Sequence, residues 1–184
     1  MTYFKYLIFI VICFSSLAAE SKSSYEDVYY KLDQALNIVF PSKTHVTKKD
    51  IKISAEKKIL IEKKIGIKLS QDNITIYEGF LEDSSLGYAL VLDEQGKYQP
   101  ITIMTCIDRS FSVSNIVLMV YREKIGSEVR KRRFIKQFIN KSSKDKLQVN
   151  NDISAVSGAT ISSYSMASAV KKSIAITEEL FKNS

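Results

Sequence analysis

Ile74-Thr75-Ile76-Tyr77-Glu78-Gly79-Phe80-Leu81 and Tyr88-Ala89-Leu90-Val91-Leu92 are two runs of β-branched, aromatic and aliphatic residues, separated by Glu82-Asp83-Ser84-Ser85-Leu86-Gly87. Apolar runs bounded by acidic, serine and glycine residues predict two strands joined by a hairpin. Two further strands are expected near Ile101–Ile107 and Val113–Tyr121, with Asp108–Ser112 between them. Four strands in succession, with no helical pattern interposed, predict an antiparallel sheet.

Outward from that stretch the pattern turns helical. On the N-terminal side, Val28, Tyr29, Leu32, Leu36 and Val39 recur at helical spacing, which predicts a helix over Tyr25–Phe40 behind the candidate caps Ser23 and Ser24, ended by Pro41. Lys48–Ile53 leads to Ser54, an N-cap for a second helix over Ala55–Ile65 with Gly66 as its stop. On the C-terminal side, Val129, Phe134, Ile135 and Phe138 predict a basic amphipathic helix over Val129–Ile139. Asn150-Asn151-Asp152 then resets the chain before a last helix that starts near Thr160. Helices, strands and helices in blocks make an α+β domain, an antiparallel sheet flanked by helices, with Thr160 at its surface.

Met1–Ala19 carries one charge, Lys5, then an apolar run from Tyr6 to Phe14, then Ser15-Ser16-Leu17-Ala18-Ala19. That is the pattern of a secretory signal peptide, cleaved after Ala18 or Ala19, and the run is short for a membrane span. Retention as a membrane anchor is the alternative. The expected product, residues 20–184, is periplasmic or secreted and long enough for one domain with a real core. Cys13 follows Ile12 rather than a small residue, which argues against a lipoprotein signal. Beyond it Cys106 is the only cysteine and His45 the only histidine, which argues against a disulfide framework, a zinc site, a c-type haem and a Cys-His catalytic pair. The 27 Lys and Arg against 20 Asp and Glu give +7, or +6 without Lys5, concentrated in Lys48–Lys68 and Arg122–Lys146. No nucleic-acid motif accompanies that charge, so a solvated face or an anionic membrane surface is the reading.

Ser154–Lys172 joins a small, hydroxyl-rich turn to a helix striped with Ile161, Met166, Ala169, Val170 and Ile174. Two readings fit. Ser and Thr cap helices without any ligand. The free N–H groups of a helix start also bind anions, phosphate above all, and Ser157, Thr160, Ser162 and Ser163 add hydroxyls.

Ser157-Gly158-Ala159-Thr160, followed by Ile161-Ser162-Ser163, resembles the attachment motif of the FMN-binding domain family. That family includes the covalent-FMN components of the sodium-pumping NADH:quinone reductase and of the Rnf complex. The resemblance extends through Gly96–Thr102, Tyr121-Arg122-Glu123, Gly126 with Glu128-Val129-Arg130, and Arg133-Phe134 with Gln137-Phe138, in the order of the soluble, exported members. It implies FMN held through a phosphoester on Thr160, made by a separate flavin transferase with FAD as donor. The family's recognition pattern begins with Asp six residues before the Thr; here that position is Ser154, and the nearest acid is Asp152.

A bound flavin needs planar or apolar walls and positive charge near its pyrimidine edge. Tyr88, Tyr98 and Tyr121 are candidate walls and Lys97 and Arg122 candidate charges; with Glu123 and the turn Ser157, Gly158, Ala159, Thr160, Ser162 and Ser163 they complete the expected FMN site. No general acid–base constellation and no metal-ligand set is visible. The expected activity is electron relay to periplasmic or membrane electron-transfer proteins. A stand-alone flavin reductase and a cofactor-free binding module are the alternatives.

Overall fold

A computed structural model describes residues 25–182. The expected signal segment and the candidate caps Ser23 and Ser24 lie outside the described residues. In chain order the elements are β1 (Asp27–Val28), α1 (Leu32–Val39), β2 (His45–Lys52), α2 (Ala55–Ile65), β3 (Asn73–Leu81), β4 (Ser84–Gln95), β5 (Pro100–Asp108), β6 (Val113–Tyr121), a 3-10 turn (Ser127–Arg130), α3 (Arg132–Ile135) and α4 (Thr160–Phe181). The strands form one sheet in the order β1-β6-β5-β4-β3-β2, and every pairing is antiparallel. This is the α+β domain that the strand-rich stretch predicts.

Strand periodicity sorts the core into two layers. On β5, Ile101, Ile103 and Ile107 pack with Met166, Ala169 and Val170 of α4, whereas Met104 and Cys106 pack with Ala35 and Val39 of α1 on the other face. Alternate residues of a sheet covered on both faces are apolar on both sides. Helix α2 forms where its terminal signals stand: Ser54 Oγ accepts the Lys57 N–H at 3.3 Å, and Gly66 ends it at φ +69°. Its buried Ile61 and Ile65 share a core with Ala175 and Ile176 of α4.

Two expectations are corrected, and one unassigned stretch is a strand. The first helix begins only at Leu32, because residues 25–30 run extended along β6: Asp27 pairs with Tyr121, and the N–H groups of Tyr29 and Tyr30 donate to Met119 C=O. Lys48–Ile53 belongs largely to β2, an edge strand whose Lys48, Lys49 and Asp50 face solvent; charge of that kind blunts a sheet edge and hides the strand from an apolar pattern. Val129–Ile139 is no single helix: Lys131, at ψ 139°, separates the 3-10 turn from α3. The buried Val129, Phe134 and Phe138 produced the helical spacing, and they anchor two short turns in the core instead.

Candidate functional site

Three chain segments converge at one end of the sheet: the β4–β5 turn Gly96–Gln99, the segment Arg122–Gly126 after β6, and the start of α4. Buried polar groups clamp them together. The Gly96 N–H donates to Gln99 C=O at 3.0 Å, and Glu123 Oε1 accepts the N–H groups of Tyr98 (2.6 Å) and Gln99 (3.1 Å). A Cβ on Gly96 would stand 2.6 Å from that Glu123 oxygen, so only glycine lets the carboxylate approach. Behind it Tyr121 is fully buried; its hydroxyl donates to Ile125 C=O at 2.7 Å and lies 2.9 Å from Ser162 Oγ, tying the post-β6 segment to α4. Burial pushes the Tyr121 phenol up despite the Ser162 hydrogen bond.

Helix α4 starts without a side-chain cap. Ser163 N–H donates to Ala159 C=O at 2.9 Å, and among the described residues the N–H groups of Thr160, Ile161 and Ser162 have no partner. Such orphan donors at the positive end of a 22-residue helix favour an anion. Thr160 is exposed beside them. Gly158, at φ +75°, makes the turn that brings the chain into the helix, and a Cβ there would meet nothing within 4 Å.

Between the three segments lies a cleft of about 900 Å3. Tyr98, Ile125 and Ile161 give it exposed apolar walls, with Tyr25 at one edge. Lys97, Arg122 and Lys124 give it positive charge. Arg122 already serves Glu26, Pro100 C=O and Thr102 Oγ1, each at 3.1 Å, and the Lys97 ammonium lies 5.0 Å from the Tyr98 ring centre. Lys124 has no partner among the described residues, which leaves it free for a ligand.

Of the residues singled out in the sequence, the cleft brings together Lys97, Tyr98, Arg122, Glu123, Gly158, Ala159, Thr160 and Ser162. Four lie elsewhere. Ser157 is exposed outside the lining. Ser163 is fully buried, its hydroxyl donating to Ala159 C=O at 2.9 Å and accepting the Val156 N–H at 3.1 Å, so it serves the fold. Tyr121 lies beneath the cleft. Tyr88 is stacked on Phe181, with ring centres 4.2 Å apart, and accepts a hydrogen bond from Arg109, near the far end of α4. Sequence reasoning missed Tyr25, Gln99, Lys124 and Ile125. Gln99 lies within, and Lys124 and Ile125 directly after, segments already noticed, whereas Tyr25, at the start of the expected first helix, carries no such signal.

Residues 96–175 match the family model described as FMN-binding domain, a span that runs from the β4–β5 turn into α4 and so contains most of the cleft. The chain is similar to the FMN-binding domain family over these 80 of its 184 residues. It is a flavin-binding protein, and FMN is its cofactor. No curated protein matches the chain. The residues present fit FMN: the cleft volume lies within the range of cofactor sites, about 300–1,000 Å3; the orphan N–H groups suit a phosphate; and apolar walls suit a ring.

Proposed function

We propose that the chain is an exported flavoprotein that relays electrons, with FMN joined through its phosphate to Thr160 Oγ. Thr160 itself carries the reading: an exposed hydroxyl on the first turn of α4, beside three unpartnered N–H groups, at the edge of a cleft of about 900 Å3. In the attachment step an Oγ–P bond forms and the P–O bond to the AMP half of FAD breaks. AMP leaves, the hydroxyl proton is released, and a flavin transferase catalyses the exchange. Bound FMN supplies reversible electron transfer.

The chain's own groups bind and orient. The N–H groups of residues 160–162 would offset phosphate charge, Tyr98, Ile125 and Ile161 would supply apolar walls for a ring, and Lys97 and Lys124 would supply positive charge toward a reduced flavin. Glu123 keeps the β4–β5 turn in place. Magnitude favours a covalent link. A helix terminus contributes only about 0.3–1 kcal/mol toward an exposed anion, whereas micromolar retention requires about 8 kcal/mol. An open cleft with a tethered flavin suits exchange with periplasmic or membrane electron-transfer proteins. Export rests on the signal-like residues 1–19, and residues 20–184 would be the mature domain.

The test is an intact mass of the chain produced together with a flavin transferase. A gain of one FMN minus water, with fluorescence that survives a denaturing gel, is expected. Colour lost on denaturation would replace the covalent reading with reversible binding. Turnover of an added small substrate, rather than electron exchange with carrier proteins, would replace relay with a reductase activity. Because Ser154 stands at the transferase-recognition position, Ser154→Asp should raise the modified fraction.

A further inference from the structure

The segment that leads to Thr160 is a strap over the core, buried at Ile153 and again at Ala159. Its backbone between those points is bound by few groups. Val156 N–H donates to Ser163 Oγ at 3.1 Å and Val156 C=O accepts the Ala159 N–H at 2.9 Å, both links within the strap and its own helix. The amide of Gln137 supplies the outside link: Oε1 accepts the Ser154 N–H at 2.8 Å, and Nε2 donates to Ser154 C=O at 3.2 Å. One side chain thus occupies both backbone groups of one residue. Gln137 stands in the chain between Phe134 and Phe138, which are buried, with their rings 5.3 Å apart edge to face. Ser154, Ser157 and Gly158 remain exposed on the strap, so a protein that modifies Thr160 would meet these residues first.

From this geometry we infer that Gln137 is a positioning residue for FMN attachment: it fixes the strap beside Thr160 before the modifying enzyme binds. The inference rests on the covalent reading proposed above. An unclamped strap would have to be ordered when the enzyme seats on it, and ordering lost in advance of binding weakens association rather than the chemical step. The Gln137 variant should therefore raise the KM for the chain as acceptor and leave kcat nearly alone.

The experiment uses the full chain, purified flavin transferase and FAD, and follows covalent fluorescence with time. Gln137→Ala should raise KM about fivefold to tenfold with kcat within about twofold, the scale expected from losing two exposed hydrogen bonds. Gln137→Glu keeps an acceptor for the Ser154 N–H and loses the donor, so its KM should fall between; it also serves if Gln137→Ala does not fold. Hydrogen exchange read at the Ser154 amide should be faster in Gln137→Ala than in wild type. A wild-type KM in both variants, or a loss confined to thermal stability, overturns the inference while the covalent reading stands. A wild-type chain that the transferase never labels overturns both, and it does so before any variant is made.

Discussion

The two ends of α4 treat their polar groups in opposite ways. Near its C-terminus the carboxylate of Glu178, almost completely buried, is held by Lys64, by the Ser143 hydroxyl at 2.7 Å and by Lys182, and Phe181 stacks on Tyr88. Burial opposes the charge of Glu178, yet Lys64 and Ser143 more than offset it and hold the carboxyl below its ordinary range. Midway along the helix, Lys172 is paired with Glu94 at 2.6 Å, and Ser168 donates to the same carboxylate at 2.9 Å. At the N-terminus the reverse holds: three N–H groups and the Thr160 hydroxyl lack partners among the described residues, and they stand beside an open cleft. Polar groups that a fold buries and saturates belong to its stability; polar groups left open around a cleft are available to a ligand.

Thr160→Ala strikes the open end. It should abolish the mass gain and the denaturant-resistant fluorescence, while stability falls by at most about 1 kcal/mol because an exposed hydroxyl with no internal partner is lost. Intact mass and thermal melting read the two effects separately. Retained labelling would move the linkage to another hydroxyl and break the contrast.

Glu94→Ala strikes the saturated middle. It leaves the Lys172 ammonium nearly buried without its partner, which costs about 3 kcal/mol. For a domain of this size the melting temperature should drop by roughly 6–12 °C, with the fraction of flavin-labelled chain unchanged at temperatures where the variant is folded. A variant that melts like wild type would show the pair to be a solvated contact.

The same division decides what the sequence discloses. Helix α2 was legible because Ser54 and Gly66 act through their own local chemistry, and β3 to β6 because buried strands carry continuous apolar runs. Residues 25–30 were not, since Val28 and Tyr29 fit a helical stripe as well as a strand until the β6 edge is there to pair with. At the site, the turn at Gly158–Thr160 was legible as a helix start. What its neighbours do was not: Ser162 and Ser163 spend their hydroxyls on Tyr121, Ala159 and Val156, and Tyr88 spends its ring on Phe181, 93 positions later in the chain. Those are long-range or helix-internal bonds that composition does not encode.

Asp152 lies between the two regimes, upstream of the strap. Its carboxyl is opposed by burial but receives the N–H groups of Gln148 (2.7 Å) and Leu147 (3.1 Å) and the Lys141 ammonium (2.9 Å), which lower its pKa from 3.8 to about 2. Because the folded-state value lies below the unfolded one, the resulting stability is complete above about pH 4 and is lost as pH falls toward 2; its size is on the order of 2 kcal/mol. Denaturant midpoints between pH 2 and pH 5 should therefore fall more steeply for wild type than for Asp152→Asn. Parallel curves would show that the loop before the strap holds its shape without this charge.

The smallest effect expected is at Gly158. Its φ of +75° lies in the left-handed region, which an L side chain enters at a cost of about 1 kcal/mol, and a Cβ there would touch nothing within 4 Å. Gly158→Ala should thus lower the melting temperature by only about 2–4 °C, since strain is its sole penalty in the empty protein. The cleft gives the methyl a second consequence. Gly158 lines it beside the orphan N–H groups, so the added carbon stands where a phosphate would approach, and FMN should be held less tightly than strain alone explains. Melting curves with and without added FMN separate the two: a wider gap between variant and wild type in the presence of FMN is expected. An equal gap would mean that the phosphate approaches α4 from another side.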